Sequence, residues 1–249
     1  DCYSNLIMHI CIFQTGEPLH IDKGNYRPMR AMLLADELLK KGHKVTLISS
    51  AFFHQRKTFR SIGFQSILVK KNLKIELIPS CGYKKNISLK RLFDHLILSI
   101  NLYLFLKKNS QFHPDKIFIG YPPIETSFVI IRWAKKLNIP IMLDVKDNWP
   151  ENFLEAFPKS FYKISKILLF PYFTMTKYIF RNVNSICSIT ESFISWIKLY
   201  SFKKAIKAYN VDIRYFVAPL VRKKINLSIR AAKKSYNFWK KKGVNIDKK

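Results

Sequence analysis

The stretch that decides the fold is residues 6–50, LIMHICIFQTGEPLHIDKGNYRPMRAMLLADELLKKGHKVTLISS. Apolar runs at 6–13 and 45–50 flank a helical pattern from about 26 to 41. Pro28 suits the first turn of this helix, and Gly42 suits a left-handed cap at its end. Both apolar runs are continuous rather than alternating, which is typical of parallel strands covered on both faces. The stretch therefore predicts a βαβ unit.

The same alternation continues through most of the chain and predicts an α/β fold with a Rossmann-like, doubly wound parallel sheet over residues 1–209. Residues 210–249 are predicted to be an interdomain linker with a helix at about 228–242. The further elements are predicted as extended segments at 67–79 around a turn, a helix at 87–108, a strand at 116–121, a helix at 123–137, a strand at 140–145, helices within 151–182, a strand at 185–190 and a helix at 191–208.

The composition indicates a globular and strongly basic chain. A hydrophobic content of 48% over 249 residues is enough for a packed core. The formal net charge is +28, which favours an anionic partner. An RNP motif, zinc-finger spacing and an Arg-rich helix are all absent from the sequence, so an anionic membrane surface is expected in preference to nucleic acid.

The cysteine pattern indicates the cellular compartment, and the motifs that the sequence lacks exclude several classes of enzyme. Cys2, Cys11, Cys81 and Cys187 are scattered singly, as expected for thiols in a reducing compartment. With no signal peptide visible, a cytoplasmic protein at the inner face of the membrane is expected. The sequence contains no GxxxxGK[ST], GxGxxG, GxSxG or HExxH. A P-loop NTPase, a nicotinamide enzyme, a serine hydrolase and a zinc enzyme are therefore not predicted, and neither a metal nor a cofactor is expected.

Residues 161–180, FYKISKILLFPYFTMTKYIF, mix aromatic side chains with lysines. They carry too many charges for a bilayer span, as do residues 92–106 with Asp94 and His95. A core helix with solvated lysines is the favoured interpretation of 161–180. A helix lying in the membrane interface is the alternative.

Candidate site residues follow the ends of the predicted strands. Ligands bind beyond the carboxyl ends of parallel strands, so the loops at 16–25, 49–60, 120–126 and 144–153 are expected to meet at one cleft. Gly24 and Asn25 precede a predicted helix, which suits anion binding but equally suits a plain turn.

Two further groups in these loops could take part in chemistry. His54 is either a proton acceptor or an ordinary exposed histidine. Asp144 and Asp147, beside Trp149 and Glu151, could provide a general base or hold hydroxyl groups.

The loops also resemble a known family. The segments GEPLHIDKGNYRPMR, ADELLKKGHKVTLISSAFFHQRK, GYPPIETSFVIIRWAKKLNIPIMLDVKDNWPENF and CSITESFISWI are similar to the N-terminal half of glycosyltransferase family 4 enzymes. These enzymes have the GT-B fold, and the resemblance is to the branch of L-fucosamine transferases in O-antigen and capsule synthesis. It covers residues 6 to about 242.

The resemblance implies an acceptor-side domain of a retaining glycosyltransferase. A nucleotide-sugar, expected to be a UDP-sugar, would be the donor, and a lipid-linked glycan or polysaccharide the acceptor. Neither a metal nor a cofactor is implied. The residues that it assigns are Asp147 and His54 as catalytic, Lys23, Gly24 and Asn25 as binding the donor phosphate, and Glu17, Asp22, Arg27, Trp149 and Glu151 as binding the acceptor.

Two departures from the family pattern leave the activity open. Lys23 and Gly24 stand where the family usually has a glycine pair. The donor-binding domain with its E-x7-E motif is expected to be absent from this chain and to be supplied by a separately encoded partner. The alternative is an inactive, truncated remnant that acts at most as a membrane-binding or partner-binding module.

Overall fold

A computed structural model describes residues 7–24, 26–86, 88–154, 158–188 and 191–201. The bounds of the strands and helices are β1 His9–Phe13, α1 Arg30–Lys40, β2 Lys44–Ser50, β3 Phe52–Phe53, β4 Thr58–Phe59, β5 Gln65–Lys70, β6 Leu73–Ile78, α2 Leu89–Lys108, β7 Lys116–Tyr121, α3 Ile124–Lys136, β8 Ile141–Val145, α4 Glu151–Leu154, α5 Tyr162–Leu168, α6 Phe170–Asn182, β9 Ser185–Ser188 and α7 Glu191–Tyr200. These strands and helices follow the predicted order, with two short strands, β3 and β4, added in the loop after β2.

Seven of the described strands form one sheet in the order β5-β6-β2-β1-β7-β8-β9. All neighbouring pairs are parallel except β5 and β6, which form an antiparallel hairpin where the sequence predicts extended segments around a turn at 67–79. The chain runs outward from β1 through β2 to β6 and then returns to the other side of β1 with β7. The strand order therefore reverses between β1 and β7, and a doubly wound sheet opens its ligand crevice at this point. The predicted fold class is confirmed.

The sheet is covered by helices that bury apolar side chains. Alternate residues of β1, Cys11 and Phe13, pack with the buried side chains of α2, α3 and α6 in one continuous cluster. Ile10 and Ile12 are also buried but lie outside that cluster, as do the buried residues of α1. Because successive side chains of a strand point to opposite faces, α1 covers the opposite face of the sheet.

Helix α1 begins at Arg30, four residues later than predicted. Arg27 precedes Pro28, and the residue before a proline is pushed away from helical backbone angles. The N-cap residue, Met29, is extended and gives no side-chain cap. The cap comes from Glu17, whose Oε2 accepts a hydrogen bond from the Ala31 N–H at 2.8 Å. The Glu17 carboxylate, from the loop before the helix, therefore caps the N-terminus of α1.

Other predictions fall partly outside the described residues. Residues 202–249 are not described, so the linker and the helix at 228–242 stay predictions. Cys11, Cys81 and Cys187 are free thiols. None of the described helices has the length and apolarity that crossing a bilayer would require.

Candidate functional site

A cavity of about 200 Å³ lies at the reversal of strand order. Its walls come from the loops that follow β1, β2, β7 and β8, and from helix α2. The cis-prolines Pro122 and Pro123 link β7 directly to α3 and form part of the wall. The prediction that the post-strand loops meet at one cleft is confirmed.

Glu17 lines this cavity, but its carboxylate is bonded within the protein. One oxygen caps α1, and the other accepts a hydrogen bond from Lys146 Nζ. Lys146 also lies 3.8 Å from the buried carboxylate of Asp144, which Arg30 Nη1 contacts at 2.6 Å. Burial raises the pKa of Asp144, and the two cations oppose this rise. Glu17 therefore holds Lys146 at the cavity wall.

Asp22 has a structural role in the loop before α1. Its two carboxylate oxygens accept hydrogen bonds from Arg60 Nε at 2.7 Å and from Arg60 Nη2 at 2.6 Å. Both side chains are 5% exposed. Arg60 also donates to the carbonyl oxygens of Ser50 and Glu17 at 3.1 Å. Asp22 does not line the cavity and is paired with Arg60, so its contact with an acceptor stays a prediction.

Of the residues predicted to bind a donor phosphate, Lys23 and Gly24 are described by the structure and lie outside the cavity wall. Lys23 and Gly24 are exposed, as is Arg27, and Asn25 lies outside the described residues. Gly24 has a φ of +125°, and a Cβ there would lie 2.9 Å from Arg56 Nη2. Since α1 starts at Arg30 and is capped by Glu17, the helix dipole does not act at Gly24 as the sequence argument assumed. A phosphate contact at this loop stays a prediction, with Arg56 as the adjacent cation.

His54 lines the cavity but is not set up as a proton acceptor. Its Nδ1 lies 2.5 Å from the Tyr83 hydroxyl and 3.1 Å from Lys57 Nζ. Because an ammonium group can only donate, Nδ1 is the accepting nitrogen and the ring proton sits on Nε2. Burial and the charges of Lys57 and Arg91 lower the pKa of His54 to about 4. His54 is therefore neutral at pH 7 and offers a hydrogen-bond donor.

Asp147 is the predicted catalytic residue that keeps a free carboxylate at the cavity. Asp147 is exposed at the cavity. Partial removal from water raises its pKa, while the charges of Arg91 and Lys146 lower it.

The neighbours of Asp147 in the sequence, Trp149 and Glu151, make contacts within the protein. Trp149 is buried behind the wall and packs on Phe153 and His95, with ring centroids 4.6 and 5.7 Å away. Glu151 accepts a hydrogen bond from the Tyr200 hydroxyl and, like Trp149, does not line the cavity. The acceptor contacts of these two residues stay predictions.

Helix α2 contributes three polar cavity residues that the sequence reasoning missed: Arg91, Asp94 and His95. Their spacing of three and four residues places them on one face of a helix, which is a signal present in the sequence. The Ser88 hydroxyl caps this helix by accepting from the Arg91 N–H at 3.2 Å. The Arg91 guanidinium lies 4.8 Å from the centroid of the Trp149 ring.

Asp94 is fixed by the chain that precedes α2. Its Oδ1 accepts a hydrogen bond from the Gly82 N–H at 2.6 Å. Gly82 has a φ of +68°, and a Cβ there would lie 2.8 Å from Phe59 and 2.9 Å from Phe52. Glycine is required here by both the backbone angle and the space. Burial raises the pKa of Asp94, and hydrogen bonds from neighbouring groups oppose this rise.

A buried carboxyl group lies behind His95. Glu125 Oε2, in the first turn of α3, is 3.8 Å from His95 Nδ1, and both side chains are almost fully buried. Burial raises the pKa of Glu125 to about 7. Burial also lowers the pKa of His95 to about 3. The pair is therefore a neutral imidazole beside a carboxyl group that titrates near neutral pH.

Replacing Glu125 by Gln should stabilise the fold at alkaline pH. The raised pKa means that the folded chain holds this proton between about pH 4.5 and 7 while the unfolded chain releases it, so stability falls as pH rises through this window. Glu125→Gln removes that cost, so its free energy of unfolding should exceed the wild type's by about 3 kcal/mol above pH 7. Urea unfolding across pH measures the difference, which should vanish below about pH 4.5. A difference independent of pH would contradict the assignment.

Comparisons with known proteins leave the family of this chain unassigned. No family model matches the sequence, and no curated protein matches it. Among solved structures, the chain is similar to a crystal structure of the glycotransferase of kitacinnamycin. The identity is 14%, the TM-score is 0.37, and the match covers 78% of this chain and 40% of that one. This likeness is too distant to assign an activity, a donor or an acceptor.

Proposed function

We propose that the chain is the acceptor-side domain of a retaining glycosyltransferase, acting with a donor-binding domain to move a sugar from a nucleotide-sugar to a lipid-linked or polysaccharide acceptor. The observation that carries the proposal is the cavity at the strand-order reversal, where Asp147 meets the donors of His54 and Lys146. A carboxylate and several hydrogen-bond donors around a small space suit the hydroxyl groups of a sugar. The resemblance of the post-strand loops to family 4 glycosyltransferases supports the same conclusion.

The size of the cavity also favours a sugar. At about 200 Å³ it is small beside the pockets of roughly 300–1,000 Å³ that hold drug-sized ligands. It therefore suits one sugar ring better than a whole dinucleotide. Asp147 would accept a hydrogen bond from the reacting hydroxyl, and Lys146 and Arg91 would supply positive charge near the leaving phosphate.

The transfer of radiolabelled sugar from UDP-sugars to lipid-linked acceptors tests this function. The chain is assayed alone and together with a separately encoded domain that begins with a Rossmann strand and contains E-x7-E. Transfer that requires both proteins is the expected result. An absence of transfer in both conditions, with no binding of nucleotide, would remove the enzyme hypothesis and favour the truncated remnant.

The surface of α5 supports a location at an anionic membrane. The favoured prediction of a core helix over 161–180 holds for α6, which buries Ile179 and Phe180. It is wrong for α5, because Ile164, Ile167 and Leu168 are all more than half exposed, as is Phe170 at the start of α6. Lys163 and Lys166 are exposed on α5. Apolar side chains interleaved with lysines are typical of segments that lie in the interface of an anionic bilayer. We place this segment, residues 161–170, against the membrane that carries the lipid-linked acceptor.

Variants of residues 161–170 should lose binding to anionic vesicles. Each lysine near an acidic leaflet contributes on the order of 1 kcal/mol, so Lys163→Glu with Lys166→Glu should weaken binding by at least about tenfold. Ile167→Ser with Leu168→Ser should also weaken it, because less apolar surface enters the interface. Co-sedimentation with vesicles of phosphatidylglycerol measures the effect. Ile62→Ser is the matched control, since Ile62 is 98% exposed elsewhere in the fold. Equal binding by all variants would exclude this surface.

A further inference from the structure

We propose that His95 and Glu125 form a hydroxyl-binding subsite in the cavity, in which His95 contacts a neutral hydroxyl group of the acceptor and Glu125 orients the imidazole. The inference rests on the proposed function for the identity of the ligand, a sugar. It goes beyond that function by assigning a binding residue on α2 and a positioning residue on α3. The resemblance to known enzymes assigns a role to neither of them.

The first observation is that His95 is buried without the hydrogen bond that its inner ring nitrogen would normally make. Among the described residues, His95 Nδ1 has no hydrogen-bond partner, while the Tyr172 hydroxyl of α6 acts on the Glu125 carboxyl group as a hydrogen-bond donor. His95 is 4% exposed and Glu125 is 5% exposed. Buried polar groups of folded proteins are nearly always paired, and exceptions concentrate at functional sites. The 3.8 Å between the two groups can close to a hydrogen bond by a small shift of either side chain.

The second observation is the direction of the pair. His95 lines the cavity, whereas Glu125 does not. Nδ1 is buried on the side of Glu125, and in the proposed subsite Nε2 lies on the cavity side. The ring is held between Tyr83 and Trp149, with centroids 6.2 and 5.7 Å away. Nε2 is therefore fixed in direction before a ligand binds.

The charges of His95 and Glu125 favour a ligand without net charge. Burial and the charge of Arg91 keep the imidazole uncharged at neutral pH. A carboxylate behind the ring would repel a bound anion, and a bound cation would have to lie beside Arg91. A hydroxyl group can both donate and accept, so it matches either form of a neutral imidazole.

The proton on Glu125 determines what His95 offers to the cavity. A protonated Glu125 donates to Nδ1 and leaves the ring proton on Nε2, which then donates to the hydroxyl oxygen. An ionised Glu125 accepts from Nδ1–H, so Nε2 becomes an acceptor for the hydroxyl proton. The groups that act on Glu125 are Tyr172 of α6 and Arg91 and Asp94 of α2, besides His95. Arg91 favours ionisation and Asp94 opposes it.

Long-range ¹⁵N–¹H correlation spectra of histidine-labelled protein test the pair directly. The signals of His95 are identified by their loss in His95→Phe, which keeps an aromatic ring between Tyr83 and Trp149. We expect a neutral ring throughout, with its proton on Nε2 at about pH 5 and on Nδ1 at about pH 9. In Glu125→Gln the tautomer should no longer depend on pH. A wild-type tautomer that does not change with pH overturns the positioning role of Glu125.

Titration with methyl glycosides of glucose, galactose and N-acetylglucosamine tests the ligand. At least one of them should shift the His95 Nε2 signal, and its affinity should fall about tenfold in His95→Phe. His20→Phe is the matched control, because His20 contacts the carboxylate of Asp36 at 3.1 Å but does not line the cavity. An unchanged affinity in His95→Phe, or no response of His95 to any glycoside, overturns the subsite. A response of His95 without sugar transfer in any assay supports the subsite and rejects the proposed reaction, so the two failures are distinguishable.

Discussion

Asp22→Ala should destabilise the domain by about 3–5 kcal/mol, because removing one partner of a buried ion pair leaves the other charge without compensation. Arg60 is 5% exposed, and it would keep two carbonyl contacts but lose its bidentate carboxylate. The Asp22 carboxylate also accepts a hydrogen bond from the Leu19 N–H at 2.8 Å, so the turn itself would lose a bond. Urea unfolding followed by circular dichroism measures the loss.

Two comparisons separate this effect from a general sensitivity to charge. In Asp22→Leu with Arg60→Met the uncompensated charge is absent, so the double variant should be more stable than Asp22→Ala. Lys40→Ala breaks an exposed pair with Glu37 at 3.0 Å, which should cost less than about 1 kcal/mol. If Asp22→Ala costs no more than Lys40→Ala, the pair does not hold the loop. A destabilised loop should also disturb Glu17, because Arg60 Nη2 binds its carbonyl oxygen.

The order of strands and helices could be predicted because it depends on patterns within short segments. The continuous apolar runs of β1 and β2 predict buried parallel strands. The strand predicted at 116–121 has the observed bounds of β7. The start of α1 could not be placed in this way. It depends on a hydrogen bond between Glu17 and Ala31, which are fourteen positions apart in the chain.

Part of the site could also be predicted, because the ends of strands can be located from short segments of sequence. The end of a strand predicts which loops meet, and it correctly brought His54, Asp147 and Glu17 to one cavity. It does not distinguish a free carboxylate from a paired one, so the pairing of Asp22 with Arg60, which lies 38 positions away, could not be predicted. His95 was missed because helix α2 follows the antiparallel hairpin, and the rule for strand ends does not reach into a helix.

The chemistry of His54 shows a further limit of sequence reasoning. Its position after β2 correctly predicts that it lines the cavity. Its protonation, however, depends on Tyr83 and Lys57, which both lie within hydrogen-bond distance of Nδ1. A pKa of about 4 leaves this imidazole a poor base at neutral pH. Asp147 is therefore the stronger candidate for the group that contacts the reacting hydroxyl.

Asp147→Asn should lower the rate of sugar transfer by about two to four orders of magnitude in the reconstituted enzyme. The substitution keeps the shape of the side chain but removes the negative charge. Asn cannot take a proton from the acceptor hydroxyl, and its weaker dipole cannot balance Lys146 and Arg91, the cations that lower the pKa of Asp147. The measurement is kcat with saturating donor and acceptor.

Two controls test whether the loss of transfer activity arises in the cavity or from a destabilised fold. Asp147 is exposed at the cavity, so the free energy of unfolding of Asp147→Asn should stay within about 0.5 kcal/mol of the wild type. Asp36→Asn makes the same chemical change at a carboxylate paired with His20, outside the cavity, and should keep full activity. Wild-type transfer by Asp147→Asn would remove Asp147 from the mechanism. Equal losses in both variants would assign the effect to net charge, since each substitution removes one negative charge from a strongly basic protein.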